Sequence, residues 1–362
     1  MMNNTEKIQI VHFVENLGKG GLENVIYNNV TNLDINKFKV SVICRIEGGY
    51  TANKLKKKGI KVLELNKKKI GMIKLKRSLS EFRSCKNAIL HCHGLFATSS
   101  EAIIGRFSGY KSVFVHVHNL EKPEKLKQWL KLKILKSQVN KFIAVSNAVS
   151  NCLRKNSIQN IMIIPNSVSI QKYKFRNISS KDKLNFPLDS FLLGMVGRIV
   201  ERKGFKEFIK IIEKIKRING LIVGEGDYEN EVKSIVKKKN LENKIKFLPF
   251  QSQDKLPDIY AKLDGIFLFS LKEGLPLAIL EAQSVGVPFI GNDVGGIKEL
   301  IKDNYNGFII QDTNVDRINE IINKISGNPE YYRTNARRVI EAKFSINSMI
   351  KNLESLYLSS VK

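Results

Sequence analysis

Residues 265–291 read GIFLFSLKEGLPLAILEAQSVGVPFIG, and their interpretation decides the fold. GIFLFS has the β-branched and aromatic density of a buried strand. VPFIG is a second strand-like run, and between the two a loop leads into a helix with Pro276 near its first turn. A strand, a helix and a strand this closely spaced form a right-handed parallel unit. Two carboxylates, Glu273 and Glu281, stand in this segment, which is otherwise mostly apolar or glycine. A loop before a helix would accommodate the first and a solvated helix face the second, so taken alone they decide nothing.

The same alternation runs outward in both directions. Before the centre come IQIVHFV, FKVSVIC, AILHC, SVFVHV and FIAVS, each followed by a helical pattern; IMIIPNSVSI then leads into a polar stretch, 171–190, with the weak periodicity of a linker. Beyond it FLLGMVG, GLIVG, IKFLPF and GFII resume the pattern. A chain of 362 residues exceeds what one hydrophobic core serves. The expected fold class is therefore α/β, with two Rossmann-like doubly wound domains and ligands at strand carboxyl ends.

Charge is unevenly spread. The net charge is +27, and residues 1–180 hold 32 Lys and Arg against 10 Asp and Glu. The excess concentrates at 54–77 and at 121–141, where Leu126, Trp129, Leu130, Leu132, Ile134 and Leu135 alternate with lysines in a basic amphipathic helix. Such a field suits a polyanionic surface, and an anionic membrane leaflet attracts each well-placed lysine by about 1 kcal/mol. No interleaving of aromatic and basic residues resembles a nucleic-acid stacking sheet, so no nucleic acid is expected as a partner. Apolar runs fall short of the roughly 18 residues that span a bilayer, and the first residues lack the pattern of a secretory signal. Cys44, Cys85, Cys92 and Cys152 show no CxxC spacing, which points to reduced thiols and a cytoplasmic setting.

Several motifs carry chemistry or exclude it. ENLGKGGLENVIYNNV brings glycines into a helix start, a candidate phosphate cradle. Glu23 stands where a dinucleotide loop needs its third glycine, and no Gly-Lys-Ser/Thr makes it a P-loop. GMVGRIVERKGFKEF places Arg198 and Lys203 on either side of a strand-to-helix turn, where two cations suit a diphosphate. His91 and His93 share a strand face, as do His116 and His118, and HCH with VHVHN could be imagined around zinc, yet without a nearby acidic or cysteine cluster no metal site is expected. No D-x-D pair and no G-x-S-x-G elbow occurs.

Taken in order, GGLE (20–23), VHVHN (115–119), AVSNAV (144–149), IPNSV (164–168), GRIVERKG (197–204), LIVGEGD (221–227), IKFLPF and EGLPLAILEAQSVGVP (273–288), followed by NDVGG and NGFII, resemble the retaining nucleotide-sugar glycosyltransferases of family GT4. The wording around EGLPLAILEAQ is most similar to transferases that build bacterial capsular, O-antigen or exopolysaccharide units. The resemblance implies the GT-B fold, two Rossmann-like domains facing across a cleft. Residues 1–175 would form the acceptor-side domain and 176–362 the donor-nucleotide domain, the final helix crossing back to the first. It implies that Glu273 faces the donor sugar and Glu281 the ribose hydroxyls. Gly274 and Leu275 would meet sugar and phosphate, Arg198 and Lys203 the diphosphate, and Gly20 and Gly21 the loop over it. Phe250 lies where the base-binding loop passes, and His118 matches the histidine near the reacting carbon. Asn119 after His118, and Glu225 in a variable loop, depart from many relatives and bear on the choice of sugar.

The implied reaction is retaining transfer of a sugar from a nucleotide-diphosphate donor, a UDP-sugar being favoured, without cofactor or metal. The acceptor would be a hydroxyl of a lipid-linked glycan, reached from a peripheral position at the inner face of the cell membrane. Two other functions fit the pattern less fully: a nucleotide-sugar 2-epimerase of the same architecture, and a noncatalytic basic module binding membrane or nucleic acid.

Overall fold

The computed structural model describes residues 7–68, 70–175, 184–187 and 189–361. The first unit alternates strand and helix: β1 (Ile8–Val14), α1 (Gly21–Thr31), β2 (Phe38–Cys44), α2 (Gly49–Lys57), β3 (Lys61–Glu64), α3 (Met72–Phe82), β4 (Ile89–His93), α4 (Ser99–Phe107), β5 (Ser112–Val117), α5 (Leu126–Gln138), β6 (Lys141–Ala144), α6 (Asn147–Lys155) and β7 (Ile161–Ile163). Its sheet has the order β3-β2-β1-β4-β5-β6-β7, and the pairings are parallel. Helices cover both faces of such a sheet, which is why IQIVHFV and SVFVHV are buried almost throughout instead of alternating with polar residues.

The second unit contains β8 (Phe191–Val196), a 3₁₀ turn at Glu201–Lys203, α7 (Phe205–Lys214), β9 (Ile218–Val223), α8 (Glu229–Lys238), β10 (Ile245–Leu248), α9 (Leu256–Ala261), β11 (Gly265–Leu268), α10 (Leu277–Val285), β12 (Phe289–Gly291), α11 (Ile297–Leu300), β13 (Gly307–Ile309), α12 (Val315–Gly327) and α13 (Pro329–Lys343). Its sheet runs β10-β9-β8-β11-β12-β13, again parallel. Helix α7 shows how sequence becomes packing. Phe205, Phe208, Ile209, Ile211 and Ile212 recur at helical spacing and are buried, while Lys206 and Lys210 face water. The opening segment forms β11, α10 and β12, and α10 stops where Gly286 takes the left-handed conformation.

The division between the compact units falls after Asn166 and not at 175, and residues from Asn347 onward, most of α14 (Ile346–Ser359), belong to the first unit. Of the polar stretch 171–190, residues 176–183 and 188 lie outside the described residues.

Two basic stretches fold differently from their sequence pattern. The lysine run 54–77 holds the end of α2, all of β3 and the start of α3, a unit that the strand–helix reading passes over. Strand β3 is at the sheet edge and only half-buried, so KVLE lacks the apolar density of the central strands, and flanking lysines suit an edge that must not pair further. Helix α5 starts only at Leu126, after Pro123, with the Gln128 side chain accepting from the Glu124 and Lys125 amides. Its apolar residues divide. Leu132 and Leu135 are buried, whereas Leu126, Trp129, Leu130 and Ile134 are 74%, 49%, 50% and 51% exposed.

Helix α14 closes the first core. Leu353 and Tyr357 are fully buried, and the Tyr357 ring stacks on Phe114 with centroids 6.1 Å apart and meets Phe38 edge-on. Replacing Tyr357 by alanine should destabilise the first unit by about 3–5 kcal/mol, the usual cost of deleting a buried aromatic ring. Chemical denaturation should show an early transition for that unit, with the transition of the second unit unmoved.

Candidate active site

In the second unit Lys203 and Glu273 meet. Lys203 ends the 3₁₀ turn beyond β8, Glu273 lies between β11 and α10, and Lys203 Nζ donates to Glu273 Oε1 at 2.6 Å. Their side chains are 20% and 7% exposed, so the charges are shielded from most of the screening that weakens surface pairs. Two glycines make the approach possible. Gly204 sits at φ 85°, and a Cβ there would stand 2.3 Å from the Phe269 carbonyl oxygen; Gly295 sits at φ 61°, and its Cβ would fall 1.8 Å from the Glu273 carbonyl oxygen. The loops are then tied by the Arg202 guanidinium, which donates to the Lys272 carbonyl at 2.7 Å, and by the Gly296 amide, which donates to the Gly274 carbonyl at 2.9 Å. Asn292 fixes the base of the loop by accepting from the Ser270 amide and donating to its carbonyl.

Glu281 occupies a different environment. It is 5% exposed on α10 and accepts from the Tyr260 hydroxyl at 2.9 Å. Burial pushes its carboxyl up to about 7, against the opposing pull of the Tyr260 hydrogen bond and of Lys172. Lys172 pairs with Asp254 at 2.7 Å, and the Tyr173 ring packs against Tyr260. Glu273 and Glu281 thus keep different company: one carboxylate is set beside a cation, the other against a phenol.

Of the other residues singled out in this unit, Arg198 is exposed just beyond β8, and Gly274 and Leu275 are buried immediately before α10. That helix starts without a side-chain cap, leaving its dipole to add positive potential there. Phe250 follows β10, its amide donating to Glu225 Oε1 at 3.1 Å. Other motif residues are scaffold. Gln283 and Asn306 exchange two hydrogen bonds of 2.8 and 2.9 Å with no exposed surface, and Ser146 caps α6 by accepting from the Val149 amide.

In the first unit Gly20 and Gly21 lead into α1, as the motif requires of a helix-start loop. His118 follows β5 and belongs to a group that sequence pairing understated. His12, His91, His93, His116 and His118 are all at most 8% exposed and form one stack across β1, β4 and β5, with neighbouring rings 4.3–5.6 Å apart. Register explains the grouping: His12 pairs with His91 and His93 with His116, which aligns them on one sheet face. His12 Nδ1 lies 2.9 Å from His93 Nε2, His93 Nδ1 lies 3.0 Å from His118 Nε2, and His91 Nδ1 lies 2.5 Å from the Tyr357 hydroxyl. Burial lowers all five below their usual value, His12 and His118 to about 3. Two trios, His12–His91–His93 and His93–His116–His118, have ring nitrogens within 4.8 Å of one another.

Sequence reasoning missed Tyr260, Tyr173 and Lys172 around Glu281, and Tyr357 on His91. No local signal marks them, because each is brought in by an element remote in the chain.

Comparison with known proteins identifies the class. Residues 19–172 match the model Glycosyltransferase Family 4, and residues 177–342 match Glycosyl transferases group 1. The chain is 26% identical to the Escherichia coli UDP-Gal:alpha-D-GlcNAc-diphosphoundecaprenol alpha-1,3-galactosyltransferase, over 100% of this chain and 99% of that one. It is 27% identical to the capsular polysaccharide biosynthesis glycosyltransferase CapM of Staphylococcus aureus, over 54% of each. Its fold is that of Anabaena HepE, solved in complex with UDP and glucose, with a TM-score of 0.83 and 20% identity over 97% of this chain and 99% of that one. The chain belongs to the family 4 glycosyltransferases and is an enzyme of GT-B fold.

The two units should respond to acid in opposite ways. A histidine whose pKa is lowered by folding contributes stability above about 6.5 that is lost as pH falls, at about 1.4 kcal/mol per pH unit for each ring. Glu281, raised to about 7, contributes stability at low pH that is lost as pH rises through that value. Thermal unfolding followed at pH 7.5 and pH 5.5 should therefore show the first unit's transition falling markedly on acidification, with no parallel fall in the second.

Proposed function

We propose that the protein transfers a sugar from a nucleotide-diphosphate donor, a UDP-sugar above all, to a hydroxyl of a lipid-linked glycan, with retention at the anomeric carbon. Its product would be a unit of a bacterial surface polysaccharide. The Lys203–Glu273 pair carries this reading, because it joins a cation for the diphosphate to a carboxylate for the sugar at the strand ends of a parallel sheet. The donor and acceptor named for the full-length E. coli relative, and the UDP and glucose named for the HepE complex, agree with it.

In this mechanism Arg198 and Lys203, with the N-terminus of α10, stabilise negative charge growing on the departing diphosphate. The positive charge that a divalent ion could supply is then furnished by side chains, and no cofactor is needed. Glu273 orients the sugar, and the amides of Gly274 and Leu275 meet its hydroxyls and the phosphate. Glu281 holds the ribose, its carboxylate accepting hydroxyl hydrogens more strongly once ionised. Phe250 lies by the base. From the first unit, Gly20 and Gly21 are assigned to the diphosphate and His118 to a sugar hydroxyl. As the oxocarbenium-like centre forms, the leaving phosphate oxygen takes the acceptor's proton on the same face.

The first unit is also suited to the surface that carries such an acceptor. Leu126, Trp129, Leu130 and Ile134 project from α5 among Lys127, Lys131, Lys133 and Lys136, and Met72 and Ile73 are 75% and 88% exposed beside Lys74, Lys76 and Arg77. Apolar side chains ringed by lysines match the interface of an anionic leaflet, so the enzyme would work as a peripheral protein on the cytoplasmic face. No described helix is long and apolar enough to cross a membrane.

Arg198→Ala and Glu273→Gln should each lower turnover of the donor by about 10²–10³ while leaving the protein folded. Near-normal rates in both would reject the assignment. Flotation with vesicles rich in anionic lipid should recover the protein at low salt and lose it at high salt, and Trp129→Ser with Leu130→Ser should weaken recovery. Equal recovery on neutral vesicles would rule out the electrostatic attachment.

A further inference from the structure

The two oxygens of the Glu281 carboxyl group are unlike. Oε2 accepts from the Tyr260 hydroxyl at 2.9 Å, whereas Oε1 has no hydrogen-bond partner among the described residues and is not one of their sealed polar atoms, so it keeps part of the surface that Glu281 retains. Tyr260 on α9 has no exposed surface. One oxygen is held from inside the unit and the other reaches its surface.

No cation is committed to this carboxyl. Among the described residues Glu281 forms no ion pair, and the charges on the elements packed around it are engaged with other groups. Lys172 pairs with Asp254 at 2.7 Å. On α13, Arg337 donates to the Ser284 and Tyr173 carbonyls and pairs with Glu341, and Arg333 lies over the Phe175 ring in the field of Asp264 and Glu330. The groups that favour the ionised form are the phenols of Tyr260 and Tyr173 and the charge of Lys172, and burial outweighs all three.

The Tyr260 hydroxyl has no other acceptor among the described residues, and a sealed donor left unpaired is costly. Oε2 therefore stays an acceptor in both charge states. Neutral Glu281 carries its hydrogen on Oε1, and ionised Glu281 offers a bare oxygen there, to which a hydroxyl donates roughly twice as strongly as to a neutral acceptor.

We infer that Tyr260 is a positioning residue for the donor: it engages Oε2 so that Oε1 meets the ribose, and donor binding expels the proton of Glu281. The Oε1–H bond breaks, the proton passes to the solvent, and a ribose hydroxyl becomes the partner of Oε1. The coupling to the donor rests on the assignment of Glu281 to the ribose; the hold of Tyr260 on the carboxyl does not. Because the ionised form binds, affinity rises as pH rises through about 7.

The carboxyl carbons of the full-length protein labelled with ¹³C-glutamate, with Glu281 assigned by Glu281→Gln, follow its titration directly. UDP-glucose and GDP-mannose are the probes, because their diphosphates do not titrate between pH 5.5 and 8.5, and the lowered histidines stay neutral over that range. The expected midpoint is about 7 without a probe, and about one pH unit or more lower with the probe that binds. In Tyr260→Phe, which keeps the ring, the midpoint of the unliganded protein should rise by about one pH unit, since a hydrogen bond to a charged group is worth at least that much. Calorimetry should show wild-type affinity falling about tenfold from pH 8 to pH 6, with protons released to the buffer, and Glu281→Gln binding weakly without this dependence.

A wild-type midpoint in the ordinary carboxylate range would overturn the inference even in a protein that binds the donor. A midpoint that Tyr260→Phe leaves in place would overturn the part played by Tyr260, reducing its contact to packing. A probe that binds equally well at pH 6 and pH 8 would overturn the expulsion of the proton. If neither probe binds at any pH while Glu281 titrates near 7 and follows the change at Tyr260, the hold of Tyr260 on the carboxyl stands and the assignment of Glu281 to the ribose falls.

Discussion

The contact between Lys203 and Glu273 is the interaction on which the proposed chemistry of the second unit depends. Opposite charges at 2.6 Å are held where little water reaches them, and losing either would leave the other shielded and unpaired. That arrangement demands that two loops, after β8 and after β11, meet at the sheet's carboxyl edge. Parallel strands deliver them there, because every crossover returns through a helix to the same edge. The glycines at 204 and 295 then allow the backbones closer than any Cβ would permit.

The two glutamates of the opening segment, eight positions apart in the chain, have been given contrasting electrostatics. Glu273 sits beside an ammonium, whereas burial raises the Glu281 carboxyl despite the Tyr260 hydroxyl. A pair of like residues with unlike surroundings can perform unlike tasks, and in the proposed reaction one orients a sugar beside charge while the other meets ribose hydroxyls. The surrounding amides, Asn292 on the Ser270 backbone and Gln283 with Asn306, use their hydrogen-bonding capacity on the frame. They bind no substrate in this reading, yet they fix where the glutamates stand.

The first unit is organised around a polar feature in an apolar sheet. Five neutral imidazoles occupy the centre of a seven-stranded sheet, where strands β1, β4 and β5 are adjacent. Their mutual hydrogen bonds and the Tyr357 hydroxyl offset part of the cost of burying polar rings. Helix α14, which brings Tyr357, joins the last stretch of the chain to a unit built from its beginning.

Much was legible in the sequence. Strand and helix alternation identified a doubly wound α/β chain, because strands covered on both faces must be apolar along their whole length. Where a strand lies at an edge that requirement lapses, and β3 was hidden in its lysines. The motifs around Arg198, Lys203, Glu273 and Glu281 were visible because the loops at strand ends are short and local. Tertiary structure alone decided that Lys203 meets Glu273 across 70 positions, that Tyr260 meets Glu281, and that the five histidines share one stack. Those contacts follow from strand order and register, which set neighbours by position in the sheet and not by distance along the chain.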